Sequence, residues 1–202
     1  IYTYTFPDKA STAKDLFSQI MAINTKDGIS INEDFYMHYA RACELSDNKA
    51  AAEKVLFECL EHFPESHRAM NYIAYMWAEE GTNLTQALEY VTLALKSEPE
   101  NGAYLDTLGW IYYRQERYED ALIQIEEALK DIKEDPVITD HLGDIHMALK
   151  NTEKAIACWK ESFSIDPDNE TVRQKLEKNG VDTESLKQSL SEEDPEDEEI
   201  SE

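Results

Sequence analysis

Small residues recur in this chain at a period of 34 or 35 positions, and no other feature restricts its fold as much. Ala40, Ala74, Gly109 and Gly143 form one series, with spacings of 34, 35 and 34. Ala52, Ala87, Ala121 and Ala155 form a second, and Cys59, Ala94, Ala128 and Ser162 a third, both spaced 35, 34 and 34. Pro64, Pro99 and Pro167 close three of the four units. In the third, Pro136 instead opens the next helix, with Asp135 as its cap. The one extra residue of the second unit falls in "EGTN", a turn, where an insertion costs little. Each unit contains two helix-length segments with apolar residues at i, i+3, i+4 and i+7. Its small residues mark where two helices approach closely. A single helical hairpin buries too little apolar surface to stand alone, so neighbouring units must stack. The expected fold is all-α.

The pattern resembles the tetratricopeptide repeat, a helix–turn–helix unit of about 34 residues. In the third unit the family's large–small–aromatic series falls on Leu105, Leu108, Gly109, Tyr112, Ala121, Ile125 and Ala128. The second carries Met70, Ile73, Ala74, Trp77, Ala87, Val91, Ala94 and Pro99. The first carries Tyr36, Tyr39, Ala40, Cys43, Ala52, Leu56, Cys59 and Pro64. The fourth has Leu142, Gly143, Ala155, Trp159 and Pro167 but departs at Thr139, His146 and Ser162, as a repeat nearing a solvent-facing end would. The resemblance implies a right-handed α-α superhelix with a concave and a convex face.

The boundaries expected are 33–66, 67–101, 102–135 and 136–169 for four repeats. Ahead of them, 1–32 holds an amphipathic segment through Leu16, Phe17, Ile20 and Ile23 that reads as the second helix of an incomplete repeat. Behind them, 170–190 supplies a capping helix, with Asn169 as its cap and Gly180 as its stop, and then a short helical turn in "TESLKQSL". The acidic stretch 191–202 is expected to be disordered. The chain begins at Ile1 rather than Met, which leaves room for a trimmed signal, anchor or further repeats.

Composition narrows the chemistry. The formal net charge is −24 and the isoelectric point near 4.4, which argues against nucleic acid and anionic membranes as partners. Cys43, Cys59 and Cys158 are too few and scattered for a disulfide framework or a zinc site, and read as buried thiols. No apolar run approaches the roughly 18–20 residues of a membrane span. G-x-S-x-G, a phosphate-cradling glycine loop, H-E-x-x-H and C-x-x-C are all missing, so no enzyme and no cofactor are expected. Asp140, His141 and Asp144 form only a partial metal set and read as a solvated polar face. His38, His62, His67 and His146 read as ordinary surface or interface histidines.

Function follows from the resemblance. In the family, the first helix of each repeat lines the concave groove. That places Met37, Asn71, Asp106 and Asp140 in one groove column, Arg41, Tyr75, Trp110 and Asp144 in a second, and Glu44, Ala78, Tyr113 and Met147 in a third. "LGWIYYR" holds four bulky residues in a row, which cannot all enter one core because successive helical residues point about 100° apart. On this register Leu108, Ile111 and Tyr112 face inward, while Trp110 and Tyr113 point into the groove with Arg114 at its edge. Aromatic anchors ringed by polar groups suit a peptide-binding surface. Asp106, Asp140 and Asp144 stand at positions where relatives that clamp an acidic chain terminus use lysine, arginine and asparagine, so the expected ligand is a protein segment with apolar and basic side chains. The expected role is a non-catalytic adaptor. The alternative is a structural assembly subunit that uses its convex face or open amino-terminal edge, with the groove filled by the same polypeptide. "NGAYLDTLGWIYYRQERYEDAL" and "NYIAYMWAEEGTNLTQALEYVTLAL" also resemble a bacterial subgroup of adaptors that act at the cell envelope, while three unpaired cysteines suit a reducing cytoplasm.

Overall fold

The structure, a computed structural model, describes residues 7–27 and 31–192. Among these residues it is all helix and turn, and the helices fall into two compact units that divide after Pro99. The first unit holds α1 (Pro7–Asp27), α2 (Glu33–Leu45), α3 (Lys49–His62), α4 (His67–Glu80) and α5 (Leu84–Ser97). The second holds α6 (Gly102–Arg114), α7 (Tyr118–Asp131), α8 (Pro136–Ala148), α9 (Thr152–Ile165), α10 (Glu170–Lys178) and α11 (Thr183–Glu192).

Helix starts are set by short polar side chains that satisfy the first free backbone N–H groups. Asn32 accepts from Phe35 N, Ser66 from Ala69 N, and Asn101 from Ala103 and Tyr104 N. Asp135 accepts from Val137 N at 2.8 Å and Ile138 N at 3.1 Å, with Pro136 in the first turn as its spacing predicts. Asn169 caps α10 in the same way. Three of the turns within helix pairs place their middle residue in the left-handed region: Asp47 (φ 56°), Glu116 (φ 61°) and Lys150 (φ 64°). The α4–α5 connection differs. Here α4 has 14 residues where α2, α6 and α8 have 13, and both Gly81 (φ 68°) and Asn83 (φ 48°) are left-handed. The extra residue is therefore taken up by a longer helix and a re-formed turn rather than by a longer loop.

The periodic small residues do the work expected of them. Ala40, Ala52, Ala74, Ala87, Ala121 and Ala155 have no exposed surface. A Cβ on Gly109 would meet Ile125 Cδ1 and Cγ1 at 2.8 Å, and one on Gly143 would meet the Trp159 ring at 2.4 Å. Around these approaches Leu56, Ile73, Val91, Ile111, Ile125 and Ile145 are fully enclosed, each contributing about 1.5–3 kcal/mol by leaving water. In the first unit, Phe17 of α1 packs edge-on against Phe35 (5.0 Å) and stacks on Tyr39 (5.5 Å).

Several expectations need correction. Leu16 was placed on the apolar face of α1 but is 58% exposed, while the side chain of Ile23 lies outside the described residues. "TESLKQSL" is no mere turn. It lies within the ten-residue helix α11, whose Leu186 and Leu190 pack on a core of Trp159, Phe163, Val172 and Leu176. This helix takes in Ser191 and Glu192, the first two residues of the stretch expected to be disordered, and 193–202 lie outside the described residues. The polar residues of the fourth repeat do not mark a solvent-facing end, because Thr139, His146 and Ser162 are all buried. Thr139 Oγ1 donates to Asp135 O (2.8 Å) and Ser162 Oγ to Pro136 O (2.7 Å), so each hydroxyl ties into the backbone and is satisfied without water. Cys43 and Cys59 are buried, whereas Cys158 is half-buried. Burial raises all three thiols, Cys158 to about 11.

Candidate protein-binding face

In the first unit, Met37, Arg41 and Glu44 follow one another at i, i+4 and i+7 on α2, and Asn71, Tyr75 and Ala78 do so on α4, which gives each helix a single stripe. Polar bonds tie the two helices side by side. Tyr72 Oη donates to Glu44 Oε2 at 2.6 Å, and Arg41 Nη1 donates to the same oxygen at 2.6 Å. Burial, with the Glu44 carboxylate adding to it, raises the Tyr72 hydroxyl, which stays a neutral donor. Ser66 Oγ donates to Glu33 (2.8 Å) and Arg68 Nη1 to Asp34 (2.6 Å) near the other end. Ala78 is buried, while Met37, Asn71 and Tyr75 are half-buried and Arg41 is exposed. Asn71 Oδ1 is buried and has no hydrogen-bond partner. An unpaired buried acceptor costs about 1–3 kcal/mol, which an incoming N–H donor would recover.

The second unit treats its stripe differently. Trp110 does not point into an open groove: it is 8% exposed. Its indole lies flat against Tyr113 (4.5 Å between centroids, 4° between planes) and against His141 of α8 (4.0 Å, 12°). Its Nε1 is buried without a partner. Tyr113 is half-buried, its hydroxyl raised by burial and by the Asp144 carboxylate. Asp106, expected to set the polarity of the groove, is 6% exposed and accepts from His141 Nδ1 at 2.7 Å. Arg114 is half-buried. Met147 is half-buried and packs against the core around Trp159.

Asp140 and Asp144 form no solvated face either. Lys175 of α10 reaches both, with Nζ 2.6 Å from Asp140 Oδ1, 2.7 Å from Asp144 Oδ1 and 2.8 Å from Asp144 Oδ2. Trp159 Nε1 donates to Asp144 Oδ1 at 3.2 Å, and the Lys175 ammonium lies 5.8 Å from the Trp159 ring centroid. Burial raises the Asp140 carboxyl, and the Lys175 charge opposes that rise. Among the described residues, no group of three or more His, Cys, Asp or Glu side chains is arranged to hold a metal ion, and no helix is long and apolar enough to cross a membrane.

Sequence reasoning missed the partners His141 and Lys175, yet a signal for them was present. Asp106 and His141 are 35 positions apart, as are Asp140 and Lys175, and Asp34 and Arg68 are 34 apart. Complementary charges at a lag of one repeat report side chains that face each other across neighbouring first helices.

These features define a repeat protein whose structural units are stacked helical hairpins. The tetratricopeptide-repeat family model matches residues 140–169. The TPR repeat-containing protein PA4667 of Pseudomonas aeruginosa is 32% identical over 114 residues, which is 55% of this chain and 19% of that protein. The chain therefore spans about a fifth of this relative. Among solved structures, the Cut9–Hcn1 hetero-tetramer of the APC/C matches with a TM-score of 0.71 at 17% identity, over 84% of this chain and 32% of that one. The first TPR of Spaghetti (RPAP3), bound to the HSP90 peptide SRMEEVD, matches with a TM-score of 0.51 at 16% identity, over 62% of this chain and 93% of that one. Residues 140–169 therefore match a tetratricopeptide repeat, and the fold is that of tetratricopeptide-repeat proteins. Such repeats are in general non-catalytic modules for protein–protein interaction.

Proposed function

We propose that this chain is a non-catalytic adaptor whose α2–α4 face binds a segment of a partner protein. The observation that carries the reading is the buried, unpartnered Asn71 Oδ1 on α4, in the same stripe as the half-buried Tyr75 and beside the α2 stripe that holds the half-buried Met37. A bound backbone N–H satisfies that oxygen, while the apolar atoms of Met37 and Tyr75 supply desolvated area. Glu44 is already shared by Arg41 and Tyr72, so the face offers the Asn71 amide rather than a free carboxylate as its polar fix. Asp106, Asp140 and Asp144 leave the list of direct ligand contacts in the resting chain, because His141 and Lys175 engage them. The reading is supported by the RPAP3 repeat, which is similar in fold and is bound to an HSP90 peptide. The envelope location implied by the bacterial resemblance belongs to this reading and is tested by fractionating cells that express the tagged protein.

The test is affinity capture with the wild-type chain against an Asn71→Ala, Tyr75→Ala chain, read by mass spectrometry and repeated with each purified candidate. A partner retained by the wild type and lost by the folded variant supports the reading, and equal retention refutes it. A second reading, an assembly subunit whose groove is filled by its own polypeptide, is favoured by one observation: Lys175 of α10 fills the acidic positions of the second unit. It expects equal capture by the two chains.

A further inference from the structure

The Asp140–Asp144–Trp159 corner of the second unit is built to hold one alkylammonium group. Two carboxylates on successive turns of α8 converge on a single nitrogen, within 2.6–2.8 Å. The Trp159 indole fixes Asp144 by donating to it, and its face flanks the cation at 5.8 Å. The resident cation belongs to a flexible four-carbon stem on α10, while that helix is anchored independently by Val172 and Leu176 in the core. Lys175 is therefore able to leave by rotating its own stem, with α10 staying in place. Its side chain keeps 22% of its surface exposed, so the route outward is already wet.

We propose that this corner is a lysine-recognition subsite for a bound protein segment, and that Lys175 is its built-in competitor. A lysine from a partner exchanges for Lys175 ammonium for ammonium, so the half-buried carboxylates are never left uncompensated, the condition that makes breaking such pairs costly. The indole adds a cation–π contribution that a plain carboxylate pair lacks. Self-occupancy keeps this strongly acidic surface from capturing cations indiscriminately, and only a lysine already delivered by contacts elsewhere on the chain competes. The inference relies on the adaptor reading for its biological use, but its chemistry is tested without any partner.

The probe is n-butylammonium, the side chain of lysine without its backbone, titrated against the full chain while the Trp159 indole N–H resonance is followed. Lys175→Met keeps the stem and removes the charge, and Lys175→Arg keeps the charge. The Met variant is expected to show a saturable shift of the Trp159 resonance at a concentration at least tenfold below any seen for wild type or the Arg variant. Adding Asp144→Asn to the Met variant is expected to abolish it. If the Met variant is unfolded alone, recovery of its helical circular dichroism by n-butylammonium, and not by sodium chloride at equal ionic strength, is the supporting result. No shift and no recovery, or the same shift in all three chains, overturns the proposal. Neither outcome bears on the Asn71 capture experiment, so the two readings fail separately.

Discussion

Replacing Gly143 by alanine adds one methyl group, and the structure leaves no room for it. The new Cβ would lie 2.4 Å from Trp159 Cδ1 and Nε1 and 3.1 Å from Cε2. Carbon contacts are comfortable at about 3.5–4.0 Å, so the indole must retreat by more than about 1 Å. Trp159 is a rigid, 3% exposed ring packed with Phe163, Val172 and Leu176, and its Nε1 holds Asp144. Overpacking of this kind costs about 1–3 kcal/mol, and at a rigid ring the upper end applies. Alanine's better helix propensity returns up to about 1 kcal/mol, leaving a net loss of about 2 kcal/mol. For a unit of this size that lowers the thermal midpoint by roughly 8–16 °C. Gly109→Ala is the milder comparison: its Cβ meets Ile125 Cδ1 and Cγ1 at 2.8 Å and Ala121 O at 3.3 Å, so a smaller displacement relieves the contact than at the Trp159 ring. Thermal unfolding followed by circular dichroism is expected to rank wild type, Gly109→Ala and Gly143→Ala in falling order, with the Trp159 indole resonance displaced only in the last. A Gly143→Ala midpoint within a degree or so of wild type would refute the claim that Gly143 is there to admit the indole.

Two further outcomes follow from groups whose placement the structure changed. Trp110→Ala, harmless if the ring stood in an open groove, is expected to cost about 3 kcal/mol, since it empties a buried site between Tyr113 and His141. Denaturant unfolding checks this, and a cost below about 1 kcal/mol would return Trp110 to the surface. Burial lowers the His146 imidazole below its ordinary 6.5, with Lys154 adding to the effect and Glu126 opposing it. Between the two values the unfolded chain binds more protons than the folded one, so this contribution is fully present above about pH 6.5 and is lost as pH falls through the folded value. Urea midpoints at pH 7.5 and 5.5 are expected to differ more for wild type than for His146→Gln, and equal differences would place His146 in water.

The fold was legible in the sequence because its main determinant is periodic. A small residue at the same place in each unit can mean only a repeated close approach, and Ala40, Ala74, Gly109 and Gly143 announce it without any knowledge of neighbours. The helix starts were legible for the same reason, being local matters of a cap such as Asp135 or Asn169. The site was less legible because its state depends on what the next repeat presents. Nothing in "DTLGWIYYR" states that Trp110 will be covered, since the ring that covers it, His141, lies in a different helix pair. Asp140 and Asp144 likewise look like free groove carboxylates until α10 brings Lys175 to them. Thr139, His146 and Ser162 read as surface because they are polar, yet two of the three are satisfied by backbone carbonyls inside the helix pair. Asn71, placed in a groove column by the periodicity, is half-buried, but no periodicity could show that its amide oxygen would lack a hydrogen-bond partner.

The central claim is that the α2–α4 face takes a partner segment through Asn71. The most direct measurement is a heteronuclear NMR titration of the labelled chain with the purified partner from the capture experiment, following the Asn71 side-chain amide and the backbone amides of every described helix. The Asn71 amide and the amides around Met37 and Tyr75 are expected to shift together and saturably, and Asn71→Ala is expected to weaken binding at least tenfold with the helices intact. Shifts confined to the second helices α3 and α5, with the Asn71 amide unmoved and the variant binding as well as wild type, would contradict the claim.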